Sequence, residues 1–165
     1  MTFAAAFTAS LVALAAAIAP AAAQTSLKQS VVGTWKLVSV FVDGPNKVEP
    51  YGPNPHGIMF MDAAGNFSVS IVRAGIAKFE SKNRTTGTDA ENKAAVQGSL
   101  AYFGTYTIDE ADKSVTVKIE SSNYPNFEGE SQKRILALTG DELLVTNPAP
   151  SGGGGVAKQI WKRLK

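Results

Sequence analysis

The chain contains no cysteine among its 165 residues. That excludes disulfides, thiol nucleophiles, Cys-ligated zinc and iron–sulfur clusters. It has one histidine, His56, so a multi-histidine metal site cannot be assembled, and no acidic cluster with ligand spacing surrounds it. No metal and no cofactor are expected. An excess of charge of one sign is also missing: 16 Lys and Arg against 14 Asp and Glu leave a formal +2. The basic residues are scattered, and the densest group, Lys162, Arg163 and Lys165, ends the chain and reads as a solvated strand end. A nucleic-acid partner would need a basic stripe to displace counterions from phosphates, so none is expected. There is no G-x-S-x-G elbow, phosphate loop or dinucleotide fingerprint. The nearest paired carboxylates, Glu128 and Glu130, read as solvated at a strand edge.

Charged side chains are absent altogether from residues 1–23, which leaves the α-amino group as the one charge there. Leu11 to Ala19 forms an apolar h-region, followed by Pro20 and by Ala21-Ala22-Ala23, which satisfies the small-x-small rule for signal peptidase. Cleavage is expected before Gln24, although no Lys or Arg follows Met1. A membrane anchor would need about 20 strongly apolar residues with cationic flanks, and an Ala-rich run spans poorly. With no Cys at the cleavage point, a lipoprotein is excluded. The expectation is an exported protein of a bacterial periplasm or medium, with no stable membrane insertion after cleavage. Hydrophobic content of 44% and charged content of 18% fit a folded domain. Residues 24–165 suffice to bury a core without disulfide staples.

Gln24 to Ser30 reads as a polar lead-in. From Gly33 the chain alternates, with Trp35, Leu37, Ser39 and Phe41 on one face of a strand and Lys36, Val38, Val40 and Val42 on the other. Asp43-Gly44-Pro45-Asn46 ends it with turn chemistry. The loop EPYGPNPHG at 49–57 carries three prolines and two glycines. Ile58–Met61 and Phe67–Arg73 read as strands joined by a hairpin with Gly65 at the left-handed position. Between residues 74 and 99 the rhythm breaks, and Thr88-Asp89 caps a short helix to about Gln97, with Gly98 as its stop. Strands then resume at Ala101–Ile108, Ser114–Ser121, Glu130–Leu138, Glu142–Thr146 and Val156–Leu164, and the glycine run 152–155 reads as a loop. Eight consecutive strands with mostly hairpin connections predict an all-β, up-and-down antiparallel barrel with one short helix between strands three and four, preceded by a signal peptide. Closure removes both edges, and a barrel of this size is either packed solid or holds one small ligand.

Gly33-Thr34-Trp35, EPYGPNPHG, YFGTY at 102–106, PNFEG at 125–129 and TGDEL at 139–143, in that order and at those intervals, resemble the lipocalin-like domain family of the calycin superfamily. The resemblance covers essentially all of the chain after residue 23. It implies a calycin-type barrel but no particular activity. It also implies that Trp35 closes the barrel bottom beneath a cationic side chain from a late strand. Arg163 is the first candidate by position and Arg134 the second, held by cation–π stacking.

Candidate ligand-binding residues follow from parity. Gln132 and Arg134 share a face with Leu136 and Leu138, so if the leucines point inward these two do as well. A buried guanidinium must be paired, either with an internal partner such as Glu120 or with a ligand carboxylate or enolate. Arg73 shares the parity of Phe67, Val69 and Ile71, and it reads either as a ligand contact or as an end-of-strand charge reaching water. Tyr102 and Tyr106 flank Gly104, which leaves space beside two phenols, as a ligand cavity or an aromatic core would have. His56, with Tyr51 and Glu49 in the same loop, sits at a barrel rim, where an acid–base role is conceivable.

Three readings remain open. The first is a binding module holding one small, largely apolar molecule with an acidic or carbonyl group, anchored by Arg134. The second is an isomerase or cyclase with Tyr106, Arg134 or His56 handling protons, which requires them to converge on one cavity. The third is a solid structural or interaction barrel with an exposed apolar patch and no cavity.

Overall fold

The computed structural model describes residue 1, residues 25–44 and residues 46–165. The apolar body of the expected signal peptide and its cleavage point lie outside the described residues. The elements run α1 (Leu27–Val31), β1 (Gly33–Asp43), β2 (His56–Met61), β3 (Asn66–Val72), α2 (Asp89–Gln97), β4 (Ser99–Asp109), β5 (Ser114–Ser122), a single 3-10 turn (Pro125–Phe127), β6 (Ser131–Thr139), β7 (Glu142–Asn147) and β8 (Val156–Arg163). Each strand pairs antiparallel with the next, and β8 pairs back onto β1, so the barrel is closed.

The alternation that builds the wall is plain in β5, where Val115, Val117 and Ile119 are buried and Thr116, Lys118 and Glu120 face water. In β6, Arg134 and Leu136 are buried between exposed Lys133, Ile135 and Ala137. One core cluster runs through the interior, with Trp35, Trp161, Ile71, Ile119 and Leu143 at its best-buried positions.

β1 departs from strict alternation. Its register against β8 slips between Leu37 and Ser39, a β-bulge that leaves Val38 exposed and reverses the parity beyond it. Val40 is therefore buried and Phe41 partly exposed, beneath the Lys47 ammonium. This overturns the expectation that Phe41 shares the face of Trp35 and that Val40 and Val42 share that of Lys36 and Val38. A second slip lies between Phe103 and Gly104, opposite β5. A Cβ on Gly104 would lie 2.1 Å from the Lys118 carbonyl oxygen. Gly104 thus serves the close approach of two strands, and it leaves no room for a ligand. The polar lead-in is also corrected: residues from Leu27 form α1, because Ser26 and Gln29 make a reciprocal capping box.

The two ends differ in their loops. At one end the connections are tight turns and α1 lies across the opening. At the other end lie the longer segments 44–55, 73–98 with α2, 123–130 and 148–155.

Candidate functional site

At the α1 end a set of contacts ties the chain to itself. The Arg163 guanidinium stacks on Trp35 at 4.1 Å from the ring centroid. Its two terminal nitrogens donate to the carbonyls of Val32 (2.8 Å) and Ser30, the last turn of α1 and the residue after it. Trp35 Nε1 donates to the Val31 carbonyl at 2.9 Å. The Glu110 carboxylate receives the Leu27 and Lys28 amides at 2.9 and 2.8 Å, so an anion caps the positive end of the same helix. Arg163, not Arg134, is the cation over Trp35. The end is a plug.

Tyr106 belongs to this half. Its hydroxyl donates to the Asp62 carbonyl at 2.6 Å, and burial, with the Asp62 charge second, pushes the phenol above its usual range. It does not line the ligand-sized space described next.

That space is a chamber of about 370 Å³ at the opposite end. Its apolar wall includes Val40, Val42, Leu100, Phe127 and Ala157, and its mouth is framed by Pro50, Tyr51 and the segment Pro150–Gly154. Below it lies a narrower apolar pocket of about 30 Å³, lined among others by Met59, Phe67, Leu136 and Leu143. Tyr102, Arg134 and Gln159 border both spaces and form a polar layer across the barrel. The chamber contradicts the solid-barrel reading.

Arg134 is only 4% exposed. Its guanidinium lies 5.7 Å from the centroid of the Tyr102 ring, and Nη2 donates to Gln132 Oε1 at 2.7 Å. Nε and Nη1 are buried with no hydrogen-bond partner among the described residues. Among the described residues Arg134 forms no ion pair, and no Asp or Glu lines either space. The suggested partner Glu120 is excluded, because parity turns it to the outer face of β5. Gln132 is half-buried and reaches the site through Arg134.

The other expected residues divide. Tyr51 lines the chamber, and burial, with the nearby Tyr102 second, raises its phenol pKa despite the opposing pull of Arg73. Arg73 is an exposed residue just past β3 whose Nη2 donates to the Pro50 carbonyl at 2.7 Å, which fastens the loop carrying Tyr51. It positions that loop and does not line the chamber. His56 is the exposed first residue of β2, also outside the lining. Tyr106, Arg134 and His56 therefore do not converge, and the acid–base constellation an isomerase or cyclase would need from them is not formed.

Sequence reasoning missed Gln159, Asn147 and Phe127. Gln159 had a signal: on β8 it shares the parity of Ala157 and Trp161, and in the structure its side chain accepts from Trp161 Nε1 at 3.1 Å. Phe127 had none, because it reaches the chamber from a 3-10 turn outside any strand.

A closed eight-stranded barrel, plugged at one end and hollow at the other, defines a calycin-type barrel with an interior chamber. The sequence places it further: the lipocalin-like domain family model matches residues 32–164, and the chain belongs to that family. It is also similar to the 4'-hydroxy-3'-methoxypropiophenone carrier protein ppsC of Aspergillus oryzae, 28% identical over 106 residues that cover 59% of this chain and 96% of the relative.

Proposed function

We propose that this chain is an exported carrier that holds one small, largely apolar molecule bearing an acidic or carbonyl group. The molecule lies in the chamber, with its polar group on Arg134 and its body against Tyr102, Leu100, Phe127 and the β1 valines. The observation that carries this reading is a buried arginine with two unpartnered nitrogens on the wall of a 370 Å³ space. That volume lies within the usual range of small-molecule sites, which are mostly apolar with a few placed polar groups. The name of the Aspergillus oryzae relative, a carrier of a compound with a ring hydroxyl, a methoxyl and a ketone, supports the same class. Export rests on the uncharged, Ala-rich first 23 residues.

Native mass spectrometry of protein purified from its own host tests the carrier reading. A co-purifying small molecule, lost on Arg134→Met, is expected. No bound mass, together with no uptake of the neutral apolar dye Nile red, would overturn it. Intact mass of exported material tests the export: a start at Gln24 is expected, and Met1 retained in a membrane fraction contradicts it.

A further inference from the structure

Resting on the carrier reading, we propose that the chamber selects organic anions, carboxylates foremost, and takes them acid group first, leaving the apolar end of the ligand at the mouth.

The inference turns on charge rather than on hydrogen-bond count. Interiors hold a buried cation only when something nearby compensates it, since an isolated charge in a dry site is costly. The closed end shows that this chain compensates an arginine when it needs one for structure: Arg163 has two carbonyl acceptors and the Asp141 carboxylate at 3.9 Å. Arg134 is more buried, and among the described residues its only acceptor is the neutral Gln132 amide. A water molecule or a ligand ketone would give Nε or Nη1 an acceptor and leave the positive charge as it was. A carboxylate supplies acceptors and the missing negative charge together, in charge-assisted bonds roughly twice as strong as neutral ones.

The cation is also preorganised. The Tyr102 ring faces the guanidinium and Gln132 holds Nη2, so little side-chain freedom remains to be lost on binding. Gln132 works through Arg134 and is a positioning residue.

Orientation follows from where Arg134 stands. It borders both the chamber and the narrow pocket beneath, so it marks the inner end of the chamber. Pro50, Pro150 and Gly152–Gly154, which border only the chamber, frame the outer end. The 30 Å³ space below is too small for an apolar tail. An anion that reaches Arg134 therefore has its body pointing outward, between Val40, Val42, Leu100 and Phe127.

The test compares three probes of one shape on the full mature protein by isothermal titration calorimetry: cinnamate, its amide and its methyl ketone. Nile red serves as a neutral reporter of the chamber. Cinnamate should bind about 30-fold more tightly than the amide or the ketone at neutral pH, the scale of one charge-assisted pair in a desolvated site. In Arg134→Met that preference should vanish, the three probes then binding within about threefold of one another. In Gln132→Leu the preference should shrink and return with Gln132→Asn, which keeps an amide acceptor. If all three probes bind wild type within about threefold of one another, the anion preference is wrong and the carrier reading stands. If none of them binds and Nile red does not either, the carrier reading itself fails. The wild-type comparison holds even if a variant does not fold.

Discussion

The two ends of this barrel hold the same side chain in opposite circumstances. Arg163 stacks on an indole, donates to two backbone carbonyls and lies near a carboxylate, and all its partners belong to the chain. Arg134 lies farther from a phenol ring, donates to one amide oxygen, and keeps two buried nitrogens without a partner. Only one of these arrangements is complete by itself. The comparison teaches that the type of residue does not separate structure from function, whereas the completeness of its partner set does. The satisfied, half-buried Arg163 holds the fold together, and the unsatisfied, buried Arg134 is held by the fold for something else.

The comparison breaks first at the plug. Arg163→Met would strand the Ser30 and Val32 carbonyls and uncover Trp35, and should cost about 3 kcal/mol of stability. Urea unfolding measures it, and a loss under ~1 kcal/mol would show that the plug does not depend on this cation. Glu110→Ala acts on the other end of α1. Losing the anion that receives two helix amides should cost about 1 kcal/mol in the same assay, the usual scale of a helix cap. Neither substitution should alter probe affinity by more than about twofold, because both lie at the far end from the chamber.

The two ends also differ in how much of them is legible in the sequence. The strands were legible because alternation and turn residues agree over most of the chain, as in β5, β6 and the Asp62–Gly65 hairpin. Trp35 and Arg163 were legible through the resemblance of the GTW triplet and the position of β8. What escaped were departures from period two. The Leu37–Ser39 bulge exchanges which β1 residues face inward, and nothing in a run of valines marks where the slip falls. Gly104 looked like space and is a contact point, since a missing side chain serves backbone approach as readily as a cavity. Parity placed Arg134 inside correctly but supplied the wrong partner, because Glu120 has the outward parity of its own strand. It also grouped Tyr106 with Tyr102, though same-face residues four apart can lie in different halves of a barrel.

That pair of halves can be read by titration. Tyr51 and Tyr106 are both raised, each chiefly by burial, one in the chamber and one in the plugged half. Since the fold favours the neutral phenol, their contribution to stability is intact below about pH 10 and is lost as pH climbs through the raised values. Ultraviolet difference titration should show Tyr51 and Tyr106 ionising above the usual phenol range. Tyr51→Phe and Tyr106→Phe should each remove one of them. Bound cinnamate should delay Tyr51 further and leave Tyr106 unmoved; equal shifts in both would deny the division of the barrel into two halves.

The smallest expected effect is the most telling. If Arg134 is kept for a ligand, ligand-free Arg134→Met keeps most of the side-chain volume and removes a charge that has no opposite beside it among the described residues. The unfolding free energy from urea titration should then match wild type within about 0.5 kcal/mol or rise, as happens when buried ions are replaced by well-packed apolar groups. A loss of about 3–5 kcal/mol, the scale for breaking a buried pair, would mean that Arg134 has a partner inside the chain and that the account of the two ends is wrong.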